Sequence, residues 1–276
     1  MSKNISNYVY DSSAHRWTAL YEFTQAWKYR DLILHLIRRD VTARYKRSVL
    51  GIAWTMLNPL FMMIVLTIVF SQVWRIDIPG YSAYVLSGLI AWQFFSMASS
   101  SAIYTLVWGG ELFQRIYIPR GAFAISAVGT GLVNLTLSLV PLVGVMLIVG
   151  VPIHPTAFLL IPAMFLLACF TLGVGLFIST LGMYFPDVVE MYGVILMAWM
   201  YLTPILYPLK ILPERVQLFL KFNPLVYLVE LFRMPIYDGL IPPLSMWLIG
   251  MAVAFTTLLL GWIAFAWKSD EFAYRV

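Results

Sequence analysis

The longest stretch without an acidic or basic side chain constrains the fold of this chain more than any other feature. No Asp, Glu, Lys or Arg occurs between Arg120 and Asp187. One helical crossing of a bilayer takes about 20 predominantly apolar residues, so this stretch has room for two crossings and a turn. Hydrophobic residues make up 61% of the chain and charged residues 11%, against about 45–50% and about 25% in soluble domains. The sequence therefore predicts an all-α polytopic membrane protein.

Six apolar segments have the length of transmembrane helices, and turn residues separate them. Pro59 lies inside the first segment, where it should kink the helix. We therefore predict one six-helix transmembrane domain over residues 48–276. The predicted crossings cover residues 48–74, 82–108, 122–149, 156–182, 188–206 and 244–267.

Residues 1–47 are predicted to form a cytoplasmic arm with an interface helix. The first 15 residues are polar, so we expect no cleavable signal peptide. Between Trp17 and Trp27, apolar residues recur at spacings of three and four, which predicts an amphipathic helix lying in the membrane interface. Asp31 is the predicted cap of a second helical stretch, Leu32–Ile37. A basic cluster follows, formed by Arg38, Arg39, Arg44, Lys46 and Arg47.

The segment before the last crossing is apolar but broken, because residues 207–243 contain six prolines. Two short helices fit, at about residues 213–222 and 223–238, with Asn223 as the cap of the second and Pro224 at its first position. The second helix has about 14 residues and would reach about 21 Å, short of the roughly 30 Å hydrocarbon core. We predict a re-entrant or interfacial helical hairpin. The alternative is one crossing bent by prolines, which would place the C-terminus outside.

The distribution of Lys and Arg predicts the orientation of the chain. With the N-terminus inside, the cytoplasmic segments contain thirteen Lys and Arg residues and the outer segments contain five. Cytoplasmic loops of membrane proteins carry the excess of these residues. Both termini are therefore expected in the cytoplasm, and the net charge of +5 points to membrane topology rather than nucleic-acid binding.

The predicted crossings lack the groups that would drive transport or catalysis. Glu190 is the only acidic or basic residue within them, whereas ion-driven carriers use buried ionisable groups near the bilayer midplane. The sequence contains no phosphate-binding loop, zinc-binding HExxH pair or nucleophile elbow. Its single cysteine, Cys169, rules out an internal disulfide and a cysteine metal site. We expect no enzyme activity, metal or cofactor in this chain, and energy for transport from another polypeptide.

The connection at residues 109–121, GGELFQRIYIPRG, combines charged and apolar side chains on the predicted cytoplasmic side. A short helix there could lie in the groove of a partner, with Leu112, Phe113 and Ile116 as anchors. The alternative is a membrane-surface helix without a partner.

One motif carries a family resemblance. The string RDVTARYKRSVLGIAWTMLNP, from Arg39 to Pro59, resembles the start of the first crossing in permease subunits of polysaccharide-export ABC transporters. The strings FPDV, TPILYP, NPLVY and LFRMPIYDG, within residues 185–239, also match, so the resemblance covers nearly the whole chain in order.

This resemblance implies a homodimeric permease with two copies of a separate ATP-binding subunit, which would hold ATP and Mg. Such machines export a lipid-linked glycan of the O-antigen, capsule or teichoic acid type across the bacterial inner (plasma) membrane. The family layout places a coupling helix at about residues 109–121 and outer gate helices at about residues 213–238. Two alternatives stay open: a permease for small molecules or drugs, and a membrane-embedded glycosyl- or phosphotransferase acting on lipid-linked sugar.

The resemblance also suggests roles for the two cytoplasmic clusters. A carrier lipid with a pyrophosphate head needs cations at the cytoplasmic interface. The predicted head-group ligands are Arg38, Arg39, Arg44, Lys46 and Arg47, for which topology control is the alternative role. The predicted coupling residues are Glu111, Leu112, Phe113, Arg115, Ile116 and Arg120.

Two further sets belong to the predicted export path. Sugars stack on aromatic rings, although aromatic residues also gather at membrane interfaces without such a role. The predicted channel residues are Tyr84, Trp92, Tyr192, Trp199 and Tyr201. The predicted outer-gate residues are Pro213, Phe219, Asn223, Pro224 and Arg233.

Overall fold

The structure, a computed structural model, describes residues 28–46, 51, 53–73, 78–109 and 120–268. Within these ranges the regular structure is entirely helical. The predicted interface helix between Trp17 and Trp27 lies outside the described residues, and so does most of the predicted coupling helix.

Nine α-helices account for most of the described residues, and three short helical turns lie between them. The turns are 3₁₀ helices at Pro155–Leu159 and Leu209–Ile211 and a π-helical turn at Met234–Asp238. The α-helices are α1 Arg30–Tyr45, α2 Ala53–Val73, α3 Tyr81–Trp108, α4 Gly121–Val149, α5 Leu160–Tyr184, α6 Asp187–Leu202, α7 Glu214–Leu220, α8 Pro224–Arg233 and α9 Leu244–Lys268.

Four segments of the described chain are long and apolar enough to cross a membrane. They are Ala53–Phe70, Gly121–Val149, Pro155–Tyr184 and Leu244–Lys268. Helix α3 has 28 residues, but its six serines lower its hydropathy. Helix α6 has 16 residues and spans about 24 Å, less than the hydrocarbon core. The all-α membrane fold is thus confirmed, while the number of six crossings stays a prediction.

Helix α3 is the centre of the molecule. It packs against α2, α4, α5, α6 and α8, and 18 of its residues are buried. Helices α5 and α9 approach each other closely, because a Cβ atom at Gly261 would collide with the carbonyl group of Gly173. Small residues of this kind let membrane helices pack backbone to backbone.

Helix α1 differs from its prediction. It begins at Arg30, and Tyr29 in the cap position makes no side-chain hydrogen bond to it. Asp31 lies in the first turn, where its charge favours the helix dipole, so its predicted role as a cap is wrong. The helix continues through Arg38 and Arg39 to Tyr45, beyond the predicted end of the stretch.

The two short helices before the last apolar helix are α7 and α8, as predicted. The side chain of Asn223 accepts a hydrogen bond from the backbone N–H of Leu225 at 3.1 Å, and Pro224 occupies the first helical position. These interactions confirm the predicted start of α8. The segment ends at Gly239, whose φ of 67° is left-handed and where a Cβ atom would also collide with the His154 ring. Whether α7 and α8 re-enter the membrane stays a prediction.

Candidate functional site

The basic end of α1 presents exposed cations beside α4. Arg38, Arg39 and Lys46 are exposed, and the Arg39 guanidinium pairs with the Asp40 carboxylate at 2.9 Å. The helix is held by packing, because Ile37 fills the space where a side chain at Gly129 would lie. The side chains of Arg44 and Arg47, also predicted head-group ligands, lie outside the described residues.

A cavity of about 380 Å³, which we call the inner cavity, opens between α2, α3 and α4. Its wall combines carboxamide and hydroxyl side chains with aromatic and aliphatic ones, and none of the described residues that line it is acidic or basic. The polar members are Thr55, Asn58, Gln93, Asn134 and Ser138, and the aromatic members are Trp54 and Phe94.

Most of the predicted channel aromatics lie inside the helical core. Trp92 and Tyr192 are 5% and 3% exposed. The Tyr192 hydroxyl donates a hydrogen bond to Ser99 Oγ at 2.7 Å, and the Trp92 ring packs on Phe95 at a centroid distance of 5.6 Å. By contrast, Tyr201 is 64% exposed. Among these three aromatic residues, only Tyr201 can therefore meet a ligand in this conformation.

Asn223 joins a predicted channel residue to the predicted gate. Trp199 Nε1 donates a hydrogen bond to Asn223 Oδ1 at 2.9 Å. Asn223 Nδ2 in turn donates to the carbonyl oxygen of Leu202 at 3.0 Å and to Thr203 Oγ1 at 3.1 Å. The side chain that caps α8 thus also ties the start of that helix to the end of α6.

Arg233 forms a second junction, which we call the Arg233 cluster and which also contains Tyr84, Pro204, Ile205 and Glu230. The side chain of Arg233 is fully buried. Its Nη1 donates to the Tyr84 hydroxyl at 2.8 Å, to the Pro204 carbonyl at 2.9 Å and to Glu230 Oε1 at 3.1 Å, and its Nη2 donates to the Ile205 carbonyl at 3.1 Å.

The surroundings of this cluster explain how a charge is accommodated in the core. The guanidinium carbon lies 3.9 Å from the centroid of the Tyr84 ring, which adds a cation–π contact. Gly88 leaves the space that the guanidinium fills, because a Cβ atom there would collide with Arg233 Nη2. A buried charge requires such compensation. The cluster therefore holds α8 against α3 and the segment that follows α6.

A larger cavity, of about 740 Å³, adjoins the Arg233 cluster. It lies between the turns that precede α3 and follow α4 and the segment around α8. Its polar and charged lining includes Tyr84, His154, Lys210, Glu230, Tyr237 and Asp238. Burial raises the pKa of the Asp238 carboxyl, and the Glu230 carboxylate raises it further, while Arg233 and Lys210 act in the opposite direction.

The predicted channel and gate residues thus meet in two pairs, Tyr84 with Arg233 and Trp199 with Asn223. Pro213 and Phe219 are exposed and belong to neither pair. Arg120 occupies the turn before α4, and the other predicted coupling residues lie outside the described part of the chain.

Sequence reasoning missed the carboxamides of Asn58, Gln93 and Asn134 and the partner role of Glu230. The signal for the carboxamides was the presence of a polar side chain within a predicted apolar crossing. The Glu230 signal was its spacing of three residues from Arg233 on one helix.

Comparison with known proteins gives consistent matches. The family model described as ABC-2 type transporter matches residues 31–237. The O-antigen export system permease protein RfbA of Myxococcus xanthus is 31% identical over 264 residues, which cover 91% of this chain and 98% of the relative. RfbA of Klebsiella pneumoniae is 25% identical over 76% of this chain and 82% of its own length. The polysialic acid transport protein KpsM of Escherichia coli is 27% identical over 75% of this chain and 81% of its own length.

Proposed function

The chain belongs to the ABC-2 type transporter family, and on that premise we propose that it is the permease subunit of an ATP-driven exporter of lipid-linked polysaccharide in the bacterial inner membrane. The observation that carries this proposal is the similarity to an O-antigen export permease over nearly the full length of both chains. Relatives named for capsule and polysialic acid transport support the same substrate class, a long glycan.

In the proposed topology, helices α2 to α6 and α9 form six crossings with both termini in the cytoplasm. The excess of Lys and Arg in the predicted cytoplasmic segments supports this orientation. Helix α3 has the length of a crossing, and two of its serines, Ser87 and Ser99, are buried by packing within the chain. Helix α6 is short, and the segment 203–208 completes its path across the membrane.

The energy for export comes, in this proposal, from two copies of a separate ATP-binding subunit. Helices α2 to α6 and α9 contain only Asp187, Glu190 and Lys268 as acidic or basic residues, all near helix ends, so the middle of these six helices offers no ionisable group for a driving ion. Residues 109–121 connect α3 to α4 on the proposed cytoplasmic side. Contact there would move the two helices that form the middle of the molecule.

The export path is proposed to lie between two copies of this chain. In this proposal the exposed Tyr201 and the partly buried Trp199 contact the glycan, whereas the buried Tyr84, Trp92 and Tyr192 support the wall from inside the core. The basic end of α1 receives the phosphate of the carrier lipid. The Arg233 cluster and Asn223 hold the gate helices at the outer end of the path.

A genetic test addresses the proposed function directly. In a strain that lacks the gene for this chain, lipid-linked glycan should accumulate in the inner leaflet and disappear from the cell surface. Re-expression of the chain should restore surface glycan only when the ATP-binding subunit is also present. Normal surface glycan in the deletion strain, with unchanged carrier-linked glycan in the membrane, would contradict the proposal.

A further inference from the structure

The inner cavity gives a structural role to the sequence motif that runs from Arg39 to Pro59. Gly51 and Trp54 from this motif lie in the cavity wall. Gly51 adopts a left-handed φ of 47°, and its carbonyl oxygen accepts a hydrogen bond from the backbone N–H of Trp54 at 3.3 Å. This turn leads into α2 and brings Trp54 to the cavity, one turn before Asn58.

Two carboxamides in the cavity wall are available to a ligand. Ser138 is already engaged, because its hydroxyl donates to the carbonyl oxygen of Asn134 at 2.9 Å. The side-chain amides of Asn58 and Gln93, however, make no hydrogen bond to any part of the chain that the structure describes. Asn58 is exposed and Gln93 is partly exposed, so the donors and acceptors of both amides can be reached by a polar ligand.

The chemistry of the wall selects an uncharged, polyhydroxylated ligand. Among the residues that the structure describes, no acidic or basic side chain lines the inner cavity, so this part of the wall offers neither a phosphate nor a cation a charge partner. Each carboxamide offers both donors and an acceptor, which suits the hydroxyl groups of a sugar. Trp54 and Phe94 supply aromatic surface for its C–H faces. The volume of 380 Å³ falls in the usual range for small-molecule sites, about 300–1,000 Å³.

The position of the cavity adds a second feature of the ligand. Ile37 of α1 touches α4 at Gly129, and Gly131, two residues further along α4, lines the cavity. The exposed cations Arg38 and Arg39 directly follow Ile37 in α1. The basic end of α1 and the inner cavity thus adjoin the same part of α4, and we infer that the ligand has a phosphate next to a sugar and extends from one to the other.

We propose that the inner cavity binds the sugar next to the phosphate of the lipid-linked glycan, with Asn58 and Gln93 as its hydrogen-bonding residues. This inference rests on the proposed function and specifies where its substrate is recognised. The carrier phosphate remains at the basic end of α1, so the two surfaces together recognise the junction between lipid and glycan.

Binding to the purified permease, without any ATP-binding subunit, tests this inference. The probes are a polyprenyl pyrophosphate that carries N-acetylglucosamine and the same pyrophosphate without sugar, each in nanodiscs. The permease should bind the sugar-bearing probe more tightly. Replacing Asn58→Leu together with Gln93→Met should weaken that binding about tenfold, to the level of the sugar-free probe, because two hydrogen bonds are lost. Tyr104→Phe, which removes an exposed hydroxyl from α3 outside the cavity, should leave the preference unchanged.

A labelling measurement covers the case in which the double variant does not fold. A Met97→Cys side chain lies in the cavity wall, whereas Ser101→Cys is exposed one turn away on the same helix. The sugar-bearing probe should protect only the cysteine at position 97 from a maleimide. Equal protection by the sugar-free probe or by phosphatidylglycerol would overturn the inference, as would a retained sugar preference in a folded double variant. Because neither experiment involves ATP or export, their outcome is separate from that of the genetic test.

Discussion

At the residue scale, Arg233 shows how the fold holds a full charge in its core. Its partners come from α3, from the segment after α6 and from its own helix. Glu230, its ion-pair partner, keeps 19% of its side-chain surface exposed. A buried pair of this kind adds little net stability over an apolar pair, but removing one member leaves the other uncompensated.

Replacing Arg233→Met should therefore destabilise the protein strongly. It leaves the Glu230 carboxylate and two backbone carbonyls without their donor, at a cost of about 3 kcal/mol or more. The melting temperature of the purified permease should fall by roughly 5–10 °C. Adding Glu230→Gln should recover part of the loss. An unchanged melting temperature in the single variant would show that the cluster does not hold the helices together.

The aromatic residues should separate into two groups by the kind of defect that their removal causes. Trp92→Ala should cost about 3–5 kcal/mol of stability, because it leaves a void in the core. Tyr201→Ala should leave the melting temperature within about 1 °C of the wild type, because surface substitutions change stability little. It should nevertheless lower glycan export severalfold. If Tyr201→Ala exported glycan at the normal rate, Tyr201 would have no part in the path.

The roles of single residues were predictable only where they follow from local pattern. The cap by Asn223 and the proline after it are local and were predicted. The contact between Tyr84 and Arg233 joins residues 149 positions apart, and no periodicity in one sequence encodes such a pair. The inner-cavity carboxamides come from three different helices and were missed for the same reason.

At the element scale, the close packing of α5 on α9 depends on glycine. A Cβ atom at Gly173 would lie 2.5 Å from the backbone of Thr257, and Gly261 faces Gly173 with as little room. Nothing lies within 4 Å of a Cβ atom at Gly144, by contrast. Gly261 and Gly144 are therefore a matched pair of helical glycines, one packed against backbone and one with open space around it.

Alanine at these two positions should have opposite effects. Gly261→Ala should destabilise the protein by about 1–3 kcal/mol, because the added methyl group forces two backbones apart. Gly144→Ala should be neutral or stabilising by up to about 1 kcal/mol, since alanine favours the helix. Thermal unfolding of both purified variants in the same detergent measures the difference. Equal melting temperatures would contradict the backbone contact between α5 and α9.

Helix boundaries were predicted well where a charge-free run ends at glycine or proline. Helices α3, α4 and α9 lie within one residue of their predictions at both ends. Helix α6 stops at Leu202, four residues early, because the segment TPILYP turns to provide the carbonyl groups that bind Arg233. Helix α1 runs further than predicted because its packing on α4 compensates for the repulsion among its basic residues.

At the scale of the whole molecule, the proposed topology depends on α7 and α8 returning to the side from which they start. If they formed one bent crossing instead, the C-terminus would lie outside. A fluorescent-protein fusion at the C-terminus should be bright, and an alkaline-phosphatase fusion there should be inactive, because both report a cytoplasmic location. Phosphatase activity without fluorescence would establish the bent crossing and remove the hairpin.

The central claim is that this chain forms a path for lipid-linked glycan and that its energy comes from a second polypeptide. Vesicles that contain the permease and its ATP-binding subunit, loaded with lipid-linked glycan, test it most directly. Glycan should cross the bilayer only when ATP is supplied, and vesicles with the permease alone should move none against a gradient. Uphill movement of glycan by the permease alone, or no movement by the complete complex with ATP, would contradict the claim.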